Sequence, residues 1–428
     1  MGEHDGICGR AISTAGAGGR LTLRILLIGL NYAPDVVGIG PYTTELAEHF
    51  AAGGHTVSVL TGFPYYPHWK IDPAYRRKPP VLVERMNGVR VVRSPILLPG
   101  TGQSTLRRIV FDSSLAVTSL MASAGIGAVD IVICVSPPLQ LGVTAWLIAR
   151  SRGARLVLHL QDLVPDAALS VGMMREGNAV WLARRLERFV YSRAERITVI
   201  SQGFLDNLAG KGIPTKKLRL LPNWVETSKF DHISDPAVRA TLGAGNGQTL
   251  ILHAGNMGAK QGLETVVDAA AKLMDENIVF TLVGDGSHRR QLEARASRLG
   301  LTNLKFLPLQ DDLPATLAAA DLLVLAQLSR VVDSVAPSKL LTYMASGKPI
   351  VAAVNESSEA GRMIRDAQCG VVVGPEEPAA LAQAFRDLHG QKGKRAGLGQ
   401  AGRRYATQHH DPSHILSMWT DLVEDLIA

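Results

Sequence analysis

The chain has 428 residues, of which 46% are apolar, with 42 glycines and few aromatics. That length exceeds one ordinary core and suits two α/β domains of about 200 residues each, with strands buried on both faces. A formal net charge of +7 asks for an anionic partner, yet the basic runs at 76–78, 107–108, 183–196 and 402–404 carry no interleaved aromatic platform. This argues against nucleic acid and for a phosphorylated ligand or an acidic membrane surface.

The opening 1–22 lacks the apolar core of a signal peptide and is too rich in glycine to fold alone, so it reads as a tail. Strand-like runs follow at 24–30, 56–61, 89–95, 130–137, 155–162 and 196–201, with helical runs such as 41–53 and 178–194 between most of them. This alternation predicts parallel strands joined by helical crossovers. Within it, 113–129 is uncharged but broken by Ser, Thr and Gly, and falls short of the roughly 20 apolar residues of a membrane span. It reads as a core helix that could offer one edge of a surface-docking face.

The pattern restarts with strand-like runs at 249–256, 280–286, 304–309, 322–327, 349–354 and 369–374. Two such series mean two doubly wound sheets, joined near 221–236, where polar residues and proline interrupt both periods. The expected domains are therefore 23–222 and 223–410, with a final helix at 411–428 that can pack back on the first domain. Cys8, Cys134 and Cys369 are far apart and fit neither a metal site nor a disulfide framework, which points to a reducing cytoplasm.

Ligands of open parallel sheets bind beyond the carboxyl ends of the strands, so the loops there carry the informative residues. After the first strand, Gly38 and Gly40 precede a helix starting at Pro41. Either the backbone approaches a phosphate there or the loop is simply a tight turn. The full G-x-G-x-x-G spacing is absent, which weighs against a nicotinamide or flavin enzyme. The run "LHLQDLVPDAALS" places Asp162 at a strand end, able to orient a sugar hydroxyl or move a proton. His159 lies inside the strand pattern as a core histidine, and Asp166 suits a helix cap.

In "HAGNMGAKQGLE", Asn256, Gly258 and Lys260 form a glycine-rich turn ahead of a helix, with a cation placed for a diphosphate. Gly284 and Asp285 end the next strand, either as a ligand loop or as a capped turn. Pro337, Ser338 and Lys339 open a later helix. A cation in a first helical turn opposes the helix dipole, so this mouth is set to receive an anion.

Taken in order, "NYAPDVVGIGPYTTELAEHFAAGGHTVSVLTG", "VISQGFLDNL", "LLPNWVE", "HAGNMGAKQGLE", "LVGDGSHRRQLE", "NLKFLPLQ" and "YMASGKPIVA" resemble the retaining glycosyltransferases of family 4. The likeness covers roughly 24–405. It implies a GT-B fold, in which the first domain binds acceptor, the second binds a nucleoside-diphosphate sugar, and no metal or other cofactor is required. The family usually carries two glutamates eight positions apart. Aligning "TYMASGKP" with the usual Glu-Ala-Met-Ala-Ser-Gly-x-Pro puts Ser334 and Thr342 in their places. Asp333 could stand in for the first.

"PSKL…MASGKP" without the glutamates, together with "LHLQD" and "PDAAL", resembles the colanic-acid and exopolysaccharide subgroup, notably its fucosyltransferases. That resemblance implies GDP-fucose as donor and a lipid-linked oligosaccharide as acceptor. It also implies a cytoplasmic enzyme in peripheral contact with the inner face of an anionic membrane. Lys260 and the amides near Gly258 would take the diphosphate, supported by Ser338 and Lys339, while Asp162 is the candidate base. Asn256 stands near a position where many relatives carry arginine. The alternatives are a UDP-N-acetylhexosamine transferase, a nucleotide-sugar epimerase, or an inactive homologue that only binds sugar nucleotides.

Overall fold

The computed structural model describes residues 22–428 apart from 36–37, 66–68, 101–104, 165, 167–168, 170–176 and 331–337. Contacts divide the chain into two compact units. One takes the chain through Leu158, Arg193–Glu195 and Trp419–Ala428; the other takes His159–Ser192 and Arg196–Met418.

The first eight strands are β1 (Arg24–Ile28), β2 (Thr56–Gly62), β3 (Leu82–Met86), β4 (Val89–Ser94), β5 (Ile131–Ser136), β6 (Arg155–Leu160), β7 (Arg196–Val199) and β8 (Leu218–Leu220). They form one sheet in the order β3-β4-β2-β1-β5-β6-β7-β8. The helices along this stretch are α1 (Gly40–Ala52), α2 (Thr105–Ala122), α3 (Leu141–Arg152), α4 (Asn178–Arg193) and α5 (Gln202–Gly210). Every residue of β5 is buried, as expected of a strand with helices on both faces. The register of β1 against β2 and β5 is parallel throughout.

One strand is not in the alternating series. β3 pairs antiparallel with β4, Met86 opposite Val89. The two-residue connection is Asn87–Gly88, with φ of 46° and 83°, the conformation that Asn-Gly favours because both central residues must be left-handed. Buried Arg93 of β4 ties this edge to the loop after β1. Its guanidinium donates to Glu84 at 2.5 Å, to the carbonyl of Gly62 at 3.4 Å and to the carbonyl of Ala33, and it covers the Tyr75 ring.

The second sheet comprises β9 (Thr249–Ala254), β10 (Ile278–Val283), β11 (Leu304–Leu307), β12 (Leu322–Ala326), β13 (Ile350–Ala353) and β14 (Gly370–Val373). Its order is β11-β10-β9-β12-β13-β14, with parallel pairings. The helices are α6 (Pro236–Thr241), α7 (Glu264–Ala271), α8 (Arg289–Arg298), α9 (Leu313–Ala318), α10 (Ser338–Ala345), α11 (Glu359–Asp366), α12 (Pro378–His389), α13 (Lys392–His409) and α14 (Pro412–Asp425).

Apolar side chains of α7, α8 and α12 pack with one set of strand residues, including Ile251, Phe280 and Val324. Those of α10 and α11 pack with the alternate set, Leu250, Leu252 and Leu323 among them. This is the two-faced burial that period-two alternation produces. Side-chain caps start several helices: Asp312 accepts from the Ala315 amide at 2.9 Å and Ser358 from the Gly361 amide at 3.2 Å.

α13 crosses the turn after α10 at Gly399, where a Cβ would lie 1.9 Å from the carbonyl oxygen of Gly347. Only glycine permits this backbone-to-backbone approach. At the end of the chain, Trp419–Ala428 belongs to the first unit, and Thr420 Oγ1 lies 2.9 Å from His49 Nε2 of α1.

Candidate functional site

In the second unit, β9 and β10 end side by side and their loops interlock. The Gly255 amide donates to Val283 O at 2.8 Å, Met257 N to Asp285 O at 2.8 Å and His288 N to Met257 O at 2.9 Å. The loops lie so close that a Cβ on Gly284, whose φ is 137°, would sit 1.9 Å from Gly255 O. Glycine at 284 is thus a packing requirement that holds the Gly255–Gly258 loop over the strand ends.

α10 lays one face on this platform. The hydroxyl of Tyr343, wholly buried, accepts from the Ala254 amide at 2.9 Å. One turn earlier on the same face, Lys339 Nζ donates to the carbonyl of Asn256 at 3.2 Å and lies 3.3 Å from His253 Nε2. Both neighbours are neutral groups: burial and the Lys339 charge hold the His253 pKa far below its ordinary value. Burial pulls the Lys339 ammonium down to a pKa of about 8. No carboxylate pairs with it among the described residues. A desolvated cation with no counter-charge has strong affinity for an incoming anion.

The structure therefore brings Lys339, Asn256, Gly258, Gly284 and Asp285 together. Ser338 and Thr342 stand one turn apart on α10, Ser338 exposed and Thr342 half-buried. Lys260 lies in the same loop, in a short 3₁₀ turn Ala259–Gln261. Its carbonyl accepts from the Leu328 amide at 3.1 Å, and its half-buried ammonium has no partner among the described residues. Gly258 N is held by Gln261 Oε1 at 3.0 Å. Asp333, Ser334 and Pro337 lie outside the described residues.

Beside the loop is a cavity of about 470 Å3, lined by residues including Ala259, Gly262, Thr265, His288, Ser329 and Glu376. Its size falls in the range of small-molecule sites. Two of its carboxylates are already engaged: Asp268 binds Arg295 through both oxygens, at 2.6 and 2.7 Å, and Glu376 accepts from the Ser329 amide at 3.0 Å. The buried cation at Lys339, rather than this cavity, marks where charge is to be met.

Asp162 follows β6 at an intermediate depth, and no described contact joins it to the Lys339 cluster. Its neighbours form a closed polar network. His159 Nδ1 is 2.8 Å from Thr198 Oγ1, and its Nε2 is 2.8 Å from Gln161 Nε2. Gln161 and Asn223 pair through two amide hydrogen bonds of 2.8 Å each, and His410 Nδ1 reaches Asn223 O at 2.9 Å. Burial drops the His159 pKa to about 3, so it is a neutral structural group. Asp166 is an ion-pair residue and not the expected cap: it accepts from Lys211 at 2.6 Å and from Arg184 at 3.3 Å.

In the first unit, Gly38 has φ of 70°, and Gly40 stands where a Cβ would lie 2.7 Å from Asp35 O. The loop between is braced by Asn31 Nδ2 donating to Asp35 at 2.7 Å and by the Ala33 amide donating to Thr44 Oγ1 at 2.9 Å. These contacts are those of a tight turn, and both readings of the glycines stay open. Sequence reasoning missed His253 and Tyr343. Both sit inside apolar runs, where a lone polar residue reads as core; the signal was the four-residue spacing of Lys339 and Tyr343. Among the described residues no group of His, Cys, Asp or Glu gathers as metal ligands.

Known proteins match the chain along most of its length. Residues 37–224 match the model of the glycosyl transferase 4-like domain, and 234–405 match glycosyl transferases group 1. A putative colanic acid biosynthesis glycosyl transferase of Escherichia coli K12, WcaI, is 36% identical over 377 residues, covering 85% of this chain and 91% of that protein. A GDP-mannose-dependent alpha-(1-6)-phosphatidylinositol monomannoside mannosyltransferase of Mycolicibacterium smegmatis is 25% identical, covering 89% of this chain and 93% of its own. Among solved structures, a sucrose-phosphate synthase from Thermosynechococcus elongatus superposes with a TM-score of 0.75 at 20% identity, covering 95% of this chain and 99% of that one.

Proposed function

Because the chain belongs to the family 4 glycosyltransferases of GT-B fold, near the colanic-acid transferases, we propose that it moves a sugar from a nucleoside-diphosphate sugar to a lipid-linked saccharide during exopolysaccharide synthesis. The observation that carries this reading is Lys339. α10 presents a half-buried ammonium beside the Gly255–Gly258 loop, and a diphosphate supplies negative charge for it to meet. Lys260, in the turn that follows Gly258, and the Gly258 amides are assigned to the other phosphate oxygens, with Ser338 and Asp285 in support. Thr342 takes the ribose contact that a carboxylate makes in other members of the family.

The chemistry asks little covalent work of the protein. As the bond from the anomeric carbon to the β-phosphate oxygen breaks, negative charge builds on the leaving diphosphate, and fixed cations and amides aimed there lower the barrier. The acceptor hydroxyl attacks the face the phosphate leaves, which retains the anomeric configuration, and its proton passes to the departing phosphate oxygen. Asp162 then orients acceptor rather than serving as an obligatory base.

The donor reading is GDP-fucose. The dependence on GDP-mannose named for the mycobacterial relative supports a guanine nucleotide. A lipid-linked acceptor places the enzyme at the inner face of an anionic membrane. No helix among the described residues is long and apolar enough to cross one, so attachment would be peripheral.

Thermal shift with GDP, UDP, GDP-fucose and UDP-GlcNAc, followed by turnover of labelled donor, tests the proposal. Stabilisation by the GDP compounds, lost in Lys339→Met and weakened in Lys260→Ala, is the expected result. A UDP preference would move the donor to an N-acetylhexosamine, and no response to any nucleotide would overturn the transferase reading.

A further inference from the structure

His253 is the penultimate residue of β9 and is wholly buried, like the rest of that strand. Period-two alternation puts it on the face of Ile251, which packs with α7 and α12, whereas α10 packs on the opposite face with Leu250 and Leu252. Lys339 of α10 meets it nonetheless. The lysine side chain passes over the carboxyl end of β9, so close to Gly255 that a Cβ there would lie 2.9 Å from Lys339 Cε. Nζ ends 3.3 Å from His253 Nε2. The side chains clustered with Ile251 are apolar, Met257, Phe280 and Val324 among them, so packing alone gives no reason for a histidine here.

The contact also fixes a proton. An ammonium only donates, so Nε2 of the neutral ring is the acceptor and Nδ1 carries the hydrogen. The Val324 and Asn256 carbonyls lie close to the ring, yet Nδ1 completes no hydrogen bond among the described residues. A buried donor left in that state is costly, and a ring that presents Nε2 to Lys339 must accept that cost. The ammonium has three N–H donors. One goes to the Asn256 carbonyl at 3.2 Å and one to Nε2, which leaves the third for a ligand.

We propose that His253 is a positioning residue for the donor: by accepting from Lys339 it holds the ammonium over the end of β9 with its third N–H available to the diphosphate. This rests on the reading of Lys339 as a diphosphate contact. A free lysine side chain loses rotamer freedom when it binds, and two fixed hydrogen bonds remove that loss in advance. A hydrogen bond to the charged form also sustains the proton that burial disfavours. The other titratable groups on the adjoining elements are Lys260 in the same loop, Asp285 and His288 after β10, Glu264 on α7 and Tyr343 on α10. None of them sets either pKa: burial and then the Lys339 charge lower His253, and burial lowers Lys339.

GDP and UDP affinities of the full chain are measured by calorimetry between about pH 6 and about pH 9.5, a range that spans the Lys339 pKa of about 8. The wild type should lose affinity as pH rises through about 8. His253→Leu, which lacks the acceptor, should show that decline about one pH unit lower and bind about tenfold more weakly at about pH 8. Near the acid end, where both ammoniums are charged, the gap should narrow. His253→Gln carries an amide oxygen close to the reach of Nε2 and should restore the profile. His253→Asn, whose carbonyl falls near the place of Nδ1, should not.

The ring nitrogens of isotope-labelled histidine, with the His253 signals assigned by their loss in His253→Gln, give a second readout that needs no variant to bind. Nδ1 should be the protonated nitrogen. An Nε2–H tautomer would aim a donor at the ammonium and overturns the proposal. So does an equal loss at every pH in the leucine, glutamine and asparagine variants, which makes His253 a packing residue. A wild type that binds no nucleotide fails the transferase reading and this inference with it. A wild type that binds, with His253→Leu unchanged, fails this inference alone.

Discussion

Lys339 holds its proton only up to a pH of about 8, and two opposite dependences follow. The ammonium is charged below that pH, so donor affinity should decline as pH rises through about 8, whereas Lys339→Arg should keep its affinity at pH 9. Stability runs the other way. Lysine in the unfolded chain titrates near its ordinary value of 10.5; between about 8 and that value the unfolded chain binds more protons, so folding stability should rise with pH across this window. Urea unfolding at pH 8 and pH 10, compared between wild type and Lys339→Met, isolates the contribution. The methionine variant should be at least as stable as wild type at pH 7, because a buried uncompensated charge is gone, yet it should bind no nucleotide tightly. A variant that loses stability and still binds GDP would mean that the ammonium is structural.

At the scale of elements, two arrangements carry predictions. Gly284→Ala forces a Cβ into Gly255 O, so the β9 and β10 loops must part. A loss of about 3 kcal/mol or more in unfolding free energy is expected, together with loss of nucleotide stabilisation. The Gln161–Asn223 amide pair is a second case. Asn223→Leu strands a buried amide and should cost about 2–3 kcal/mol. Adding Gln161→Leu should recover part of that, a coupling that a double-mutant cycle in urea would measure.

The sequence was legible where one periodicity ruled an element. The parallel strands of both sheets are short apolar runs, most of them separated by helices, and they appear where expected except β8 (Leu218–Leu220), whose three residues are too few to show a period. β3 was missed because its side chains alternate between partial and full exposure and give no apolar run. The Asn87–Gly88 turn was the only local signal for it. For α2, the absence of charge over 113–129 read as a core helix that could offer one edge of a surface-docking face, since an uncharged face looks the same in sequence whether it meets core or solvent. Only the exposures of Val117 and Met121 separate the two cases.

For the whole molecule, ligand and stability are coupled. A nucleotide that binds only the folded chain at 100 times its dissociation constant should stabilise it by about 2.7 kcal/mol, visible as a concentration-dependent melting temperature. The two-series organisation was legible because each sheet needs its own alternation of strand and helix. Where the contacts divide the chain was less so: residues 159–192 group with the later part of the sequence, through buried side chains such as His159 and Gln161 whose partners at 198 and 223 are remote in sequence.

The contact of Gly399 with Gly347 has an evolutionary implication. α10 carries Lys339 at one end, and the turn after its other end rests against bare backbone of α13. At this one crossing backbone meets backbone, so no compressible side chain absorbs a change at position 399. Drift at position 399 should therefore register as altered donor affinity rather than as misfolding alone. In a random-mutagenesis screen for weakened nucleotide binding, this remote glycine should surface among the hits, looking like a functional residue while touching nothing that reacts.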